Sequence, residues 1–292
     1  MSDIGILRGR ASKFVAAKGV MVGAAMLVAG SLPALASPTF TWDPAGSSPA
    51  LVTAPGTYSF TADGIGLFDE ALISIDNNTG AFTESGVIRM GSFTLGGGSV
   101  TTPGLATGTS SASGAGDYGL YVTFTATGAL APIGGGDLKG SFQTLSFNMI
   151  GDVGNTGGIA AGTLNGASST APTLTTPAGN RVALASGSLI FGTAYVISGV
   201  PGATATTTFV QAAGQSGFFV APNMLNWSLS TGFTNSSGNF SSQTFNNNGT
   251  TDYLITAGGG SANFNVPEPA SLLIMGGGLV GLGLVRRRRA KG

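Results

Sequence analysis

The middle of the chain alternates apolar and polar residues with a period of two. Leu120, Val122, Phe124 and Ala126 are interleaved with Tyr121, Thr123, Thr125 and Thr127. The alternation recurs in two further runs, one with Leu189, Phe191, Thr193, Tyr195 and Ile197 and one with Leu225, Trp227 and Leu229. This spacing predicts β-strands that bury the face carrying these residues and expose the interleaved ones.

Between residues 37 and 265 no stretch sustains the 3.6-residue period of an amphipathic helix. About a dozen such strand candidates are separated by Gly, Ser, Thr, Asn and Pro, which favour turns. The pattern predicts an all-β domain over residues 37–257, built as a β-sandwich or jelly-roll. Residues 96–116 and 151–179 are predicted to be long loops, and residues 258–265 a linker.

The first 36 residues combine a basic stretch, an apolar run at 20–29 and a small-residue end. The apolar run is too short to span a bilayer. Ala34 and Ala36 occupy the two positions that a signal peptidase inspects, which predicts cleavage before Ser37. We therefore expect residues 1–36 to be a secretory signal peptide.

The last 27 residues have three parts: Val266-Pro267-Glu268-Pro269, an apolar run at 270–285, and a cluster of Arg286, Arg287, Arg288 and Arg289. A helix over the apolar run would reach roughly 24 Å, slightly less than the ~30 Å hydrocarbon core, and snorkelling arginines can supply the difference. The cluster is expected to stay cytoplasmic by the positive-inside rule, which leaves the preceding domain outside.

The order and spacing of these parts resemble a PEP-CTERM sorting signal over residues 266–292. The resemblance implies a precursor tethered to the inner membrane of a Gram-negative bacterium. It also implies recognition by a membrane-embedded exosortase and delivery to the cell surface or matrix, alongside exopolysaccharide and biofilm production. The alternative is a plain single-span anchor, which needs no Pro-Glu-Pro.

The middle region also resembles the flocculation-associated PEP-CTERM proteins. Four segments carry this resemblance: FTWDPAG near residue 40, DYGLYVTFTATG at 117–128, LASGSLIFG at 184–192 and SGFFVAPNMLNWSLSTGF at 216–233. They cover about a fifth of residues 37–265. The resemblance implies a role in cell aggregation with extracellular polysaccharide.

Charge is scarce and segregated along the chain. Charged residues make up 8% of the sequence, against about a quarter in a typical globular protein. Residues 37–265 hold three basic residues and ten acids, while the basic residues concentrate at the two ends. An acidic domain does not favour nucleic acid as a partner.

The chain has no His and no Cys, which excludes Ser-His-Asp and Cys-His nucleophiles and imidazole or thiolate metal sites. A glycosidase would need two carboxylates across a cleft. Its candidates are Asp69, Glu70 and Glu84, and the alternative is that these are exposed hairpin residues. We expect no enzymatic activity and no cofactor.

Calcium needs only oxygen ligands, and two oxygen-rich turns offer them. One turn contains Asp76 and Asn78, and the other contains Asp152 and Asn155. In the first, Gly80 occupies a position where a calcium loop places an oxygen ligand. The alternative there is a hairpin turn between two strands.

Carbohydrate contact would use exposed aromatic side chains, and Tyr121 is predicted to be the most exposed because it alternates against the buried set. The other aromatic candidates are Trp42, Tyr58, Tyr118, Trp227 and Tyr253. Together with the resemblances, the sequence favours a structural or adhesive surface protein associated with exopolysaccharide. The alternatives are a carbohydrate-binding surface module and a polysaccharide-active enzyme.

Overall fold

The structure is a computed structural model that describes residues 38–106, 116–165, 168–222, 228–245 and 249–265. These residues form sixteen strands. The first eight are β1 Phe40–Trp42, β2 Phe60–Ala62, β3 Gly64–Asp76, β4 Ala81–Leu95, β5 Gly98–Ser99, β6 Tyr118–Gly134, β7 Asp137–Val153 and β8 Ile159–Ala160. The others are β9 Thr173–Leu174, β10 Arg181–Ile197, β11 Val200–Thr208, β12 Val210–Gln211, β13 Phe219–Ala221, β14 Ser228–Thr234, β15 Phe240–Phe245 and β16 Thr250–Asn265.

Eight long strands form one closed antiparallel sheet. Their order is β3-β4-β6-β7-β10-β11-β14-β16, and β16 pairs back onto β3. Pairing of the first and last strands removes both sheet edges, which an open sheet would have to protect. The predicted all-β class is confirmed. The predicted sandwich or jelly-roll is replaced by this barrel-like sheet.

The shorter strands extend or flank the closed sheet. β1 pairs with β2 and β13 in a separate three-stranded sheet, and β8 pairs with β9. Three 3-10 turns occur at Pro44–Gly46, Ala178–Asn180 and Gln215–Gly217. Residues 258–265 form the second half of β16, so the prediction of a linker there is wrong. That segment pairs with both β3 and β14, which holds it in the sheet.

Short and long connections lie at opposite ends of the closed sheet. At the hairpin end, β3–β4, β6–β7 and β10–β11 are joined by tight turns. Ser198 and Gly199 have φ values of 51° and 79°, the left-handed pair that a two-residue hairpin requires. At the loop end, long segments connect β4 to β6, β7 to β10 and β11 to β14.

The interior contains two separate apolar clusters. The loop-end core is centred on Trp42 and is rich in phenylalanine, and it extends to Met149 and Leu229. The hairpin-end core is built on Ile75, Phe82, Leu130, Phe142 and Val196. Alternate residues of each long strand therefore fill the inside of the sheet, as expected for eight strands.

Tyr121 lies on the outer face of β6 and is fully buried, so the prediction that it is exposed is wrong. Ile159 of β8 and Leu174 of β9 pack against it together with Val87. The Arg89 guanidinium lies 5.7 Å from the centre of the Tyr121 ring. The connection between β7 and β10 therefore covers this part of the outer face.

The prediction of which face of β10 is buried is also partly wrong. Phe191 is 65% exposed and Ile197 is exposed, whereas Ala194 and Val196 are buried. Leu189 pairs with Thr207 and Phe191 with Thr206, so Ile190 is an extra residue in β10. A bulge of one residue moves every later side chain to the other face. Leu229 is buried as predicted, and Leu225 and Trp227 lie outside the described residues.

Candidate functional site

Two acidic residues face the inside of the closed sheet, between the two apolar clusters. Asp69 of β3 follows the inward residue Leu67 and pairs across to Gly258 of β16. Glu84 of β4 follows the inward residue Phe82 and pairs across to Ala126 of β6. The period of two therefore puts both carboxyl groups on the buried face.

Small residues leave room around these carboxyl groups. Ala71 and Gly86, which pair with each other, occupy the inward positions between Asp69 and Glu84. A Cβ on Gly258 would collide with Asp69 Oδ1 and would lie 2.6 Å from Asn235 Oδ1. Only glycine at position 258 therefore lets the Asp69 carboxyl group lie against β16.

Two cavities of about 60 Å³ and about 20 Å³ meet at the acid pair. We call the two together the acid-lined cavity. Asp69 and Glu84 line both of them. The walls of the larger one are otherwise almost entirely apolar and include Leu67, Ile88, Phe124 and Phe147. At roughly 15 Å³ per water-sized sphere, the larger cavity has space for about four.

Asp69 is only 3% exposed, and its Oδ1 atom has no hydrogen-bond partner among the described residues. Asn235 lies beside it and donates from Nδ2 to the Pro201 carbonyl oxygen at 3.0 Å. The Asn235 Oδ1 atom is likewise buried and without a partner in the described part of the chain. An unpartnered buried polar atom is costly, and such atoms concentrate where a ligand or a proton belongs.

Burial changes the protonation of both acids. It raises the pKa of Asp69 to about 7, with a hydrogen bond to its own backbone opposing the rise and the charge of Glu70 adding to it. Burial and the nearby charge of Asp69 raise the pKa of Glu84 to about 8. Since both shifts favour the neutral acid, the pair is largely protonated in mildly acidic solution.

Glu70, the third carboxylate candidate, alternates with Asp69 and belongs to the outer face of β3. It is buried, and burial raises its pKa. The expectation that the three candidates are exposed hairpin residues is wrong, because Asp69 and Glu70 are buried and Glu84 lines the acid-lined cavity. The structure brings together two of the three, inside a closed sheet.

The turn containing Asp76 and Asn78 has its polar groups engaged. Asp76 Oδ1 accepts from the backbone N–H groups of Asn78 at 2.8 Å and Thr79 at 3.0 Å. Gly80 has a φ of 71° and links β3 to β4. This is the hairpin alternative to a calcium loop.

The second oxygen-rich turn is organised around Asp152, which is fully buried. Its carboxylate accepts from Thr156 Oγ1 at 2.9 Å and from the Gly157 N–H at 2.8 Å. Asn155 takes a left-handed φ of 48° in the same turn. No group of three or more acidic residues that could hold a metal ion occurs in the described ranges.

The aromatic candidates for sugar contact are mostly buried. Trp42, Tyr58 and Tyr118 belong to the loop-end core, and Tyr253 is half-buried against the hairpin-end core. Trp227 lies outside the described residues. The large aromatic side chain that is exposed in the described part of the chain is Phe191.

The predicted processing sites also lie outside the described residues: Ala34, Ala36 and Ser37 at one end, and Val266, Pro267, Glu268, Pro269 and Arg286, Arg287, Arg288 and Arg289 at the other. In the ranges that the structure does cover, no helix has both the length and the apolar character needed to cross a membrane.

Comparison with known proteins matches residues 265–289 to the PEP-CTERM protein-sorting motif. No curated protein and no solved structure matches the chain. The motif implies processing by exosortase from a membrane-anchored precursor that is exported. The match begins at Asn265, the last residue of β16, so the sorting segment directly follows the closed sheet, and the motif supports a PEP-CTERM protein.

Proposed function

We propose that this chain is a structural or adhesive component of the bacterial surface or extracellular matrix, associated with exopolysaccharide in biofilms or flocs. The observation that carries the proposal is the sorting motif at residues 265–289, placed directly after a closed sheet. Its partners would be signal peptidase and exosortase during processing, and matrix polysaccharide afterwards.

The surroundings of the acid pair argue against glycoside hydrolysis. A glycosidase uses one protonated and one ionised carboxyl group on either side of an accessible sugar. Here the two groups lie in a cavity with space for about four water-sized spheres. A sugar ring would not fit between them, so we propose no enzymatic activity.

Replacing Pro267 and Glu268 together by alanine is expected to block maturation. The double change removes the extended Pro-Glu-Pro peptide while leaving the apolar run at 270–285 and the arginine cluster untouched. The chain should remain at precursor mass in the inner membrane, and cell aggregation should fall. Mass spectrometry of membrane and matrix fractions measures both forms.

The matched control removes one proline and one acid from the folded domain, Pro103→Ala with Asp117→Ala. This variant should mature like the wild type. If P267A/E268A also matures and reaches the matrix normally, the tail is a plain anchor and the sorting proposal fails.

A second candidate function, carbohydrate binding, is favoured by a groove on the outer face of β11, β14 and β16. The groove has a volume of about 320 Å³ and is bordered by the exposed ring of Phe191. Its polar side-chain lining consists of hydroxyl and amide groups without any charge: Thr204, Thr206, Ser230, Ser261 and Asn263. An aromatic face beside neutral donors and acceptors suits an uncharged sugar.

Replacing Phe191 by alanine is expected to weaken retention on a neutral glycan about two- to tenfold, because an aromatic contact is worth ~0.5–1.5 kcal/mol. Binding to a glycan array followed by affinity electrophoresis measures the change. Val220→Ala is the control and should bind normally. It removes an exposed apolar side chain from a different strand, β13. Absence of saturable glycan binding by the wild type would reject this second function.

A further inference from the structure

The acid-lined cavity holds two carboxyl groups that can ionise and no basic group that could neutralise them. None of its lining residues is basic. Among the described residues, Arg89 donates to the Ala106 carbonyl oxygen, Arg181 donates to the Thr176 and Leu174 carbonyl oxygens, and Lys139 is exposed. A buried carboxyl pair without a cation is destabilising when ionised, and a bound cation would reverse that effect.

We propose that the acid-lined cavity binds a small organic cation, a primary ammonium carrying a short aliphatic chain, with its ammonium group between Asp69 and Glu84. The unpartnered and buried Asp69 Oδ1 atom, which lines the cavity, is the observation that points to a ligand.

The polar atoms around the acid pair match the donors of an ammonium group. A primary ammonium has three N–H donors. Asp69 and Glu84 supply two acceptors, and the unpartnered Oδ1 atom of Asn235 supplies the third. Asn235 is already fixed through its Nδ2 donation to Pro201, which leaves its oxygen available.

The remaining walls match an aliphatic chain. Leu67, Ile88, Phe124 and Phe147 surround the larger part of the cavity. Space for about four water-sized spheres suits a chain of three to five carbons and excludes larger amines. A metal ion fits poorly, because the described residues offer no cluster of three acidic ligands and the walls are apolar.

The test titrates the full-length chain, in a nonionic detergent, with n-butylammonium chloride and with 1-butanol by isothermal titration calorimetry. We expect saturable one-to-one binding of butylammonium, and binding of butanol weaker by about tenfold or more, since a hydrogen bond between charged groups is stronger than one from a neutral hydroxyl. Absence of saturable binding up to ~50 mM, or equal binding of the two compounds, overturns the proposal, because millimolar affinity is the weak limit for a specific ligand.

Two isosteric variants locate the ammonium group. Asp69→Asn and Glu84→Gln keep side-chain volume and should each weaken butylammonium binding about tenfold or more, with butanol binding unchanged. Asp252→Asn is the matched control, because Asp252 is a buried carboxyl group of β16 that does not line the cavity. Unchanged binding in both D69N and E84Q, or an equal loss in D252N, overturns the site.

Discussion

Raising the pH from 5 to 8 is expected to lower the free energy of unfolding of residues 37–265 by several kcal/mol. The folded pKa values of Asp69 and Glu84 are about 7 and about 8, against ordinary values of 3.8 and 4.5. A raised pKa means that the folded state holds its protons longer than the unfolded chain. The contribution of these two acids to the free energy of unfolding is therefore fully present below about pH 4, and it is lost as the pH rises toward 8.

The expected size of this fall follows from the shifts. Each pKa unit corresponds to about 1.4 kcal/mol, so each acid contributes on the order of 2–4 kcal/mol over this range. Glu70 acts in the same direction, because burial raises its pKa too. Urea unfolding at a series of pH values, followed by tryptophan fluorescence, measures the slope.

The variants D69N and E84Q should each flatten this slope and raise stability at pH 8, because the amide cannot ionise. Asp76→Asn provides a control of opposite sign. Backbone N–H groups of Asn78 and Thr79 lower the pKa of Asp76, so its contribution is present above its ordinary pKa and is lost in acid. D76N should keep the fall between pH 5 and 8. Stability that is constant or rising over that interval in the wild type would contradict the buried acid pair.

Replacing Trp42 by alanine is expected to destabilise the domain by about 3–5 kcal/mol, a large part of the stability of a typical domain. Trp42 is fully buried at the centre of the loop-end core. The nearest of its aromatic neighbours are Phe40, Phe218 and Phe93, with ring centroids 4.8, 5.3 and 5.4 Å away. Removing the indole leaves a cavity that six surrounding rings cannot close.

Two variants make this result specific. Trp42→Phe should cost less than the alanine change, because the buried Nε1 atom has no hydrogen-bond partner in the described residues and its loss removes an unsatisfied donor. Phe191→Ala removes an exposed ring and should change stability by less than about 0.5 kcal/mol. Equal losses for W42A and F191A would mean that Trp42 is not the centre of the core.

The alternation of apolar and polar residues was sufficient to predict the strands, but it did not predict which segments cover their outer faces. The alternation around residue 122 correctly predicted a strand whose inner face holds Leu120 and Val122. It could not predict that Tyr121 on the outer face is buried, because the covering residues Ile159 and Leu174 come from a Gly-rich segment that resembles an exposed loop. Burial of that kind depends on contacts between distant parts of the chain.

The acid-lined cavity could be predicted in part from the sequence. Asp69 has the same parity in β3 as Leu67 and Ala71, and that parity alone places its carboxyl group inside the sheet. Acidic residues are seldom buried unpaired, so composition pointed instead to an exposed hairpin. The roles of Asn235 and Gly258 had no local signal, since they depend on the pairing of β16 with β14 and with β3.

The choice between a sandwich and a closed sheet depended on the same pairing. Strand lengths and turns are compatible with either architecture, and only the contact between β3 and β16 distinguishes them. Neighbouring strands elsewhere in the ring follow one another closely along the chain, whereas these two lie near opposite ends of the domain. Sequence periodicity carries no information about such a contact.

That closing contact sets an order of events during synthesis. β3 is made early, and its final partner β16 is made about 170 residues later, roughly 9 to 34 seconds at ~5–20 residues per second. Until then one edge of β3 is free to pair with another chain. Since β16 ends where the sorting motif begins, the ring can close only after synthesis has reached the motif. Folding of the sheet and arrival of the sorting segment therefore fall within the same seconds of the protein's biogenesis.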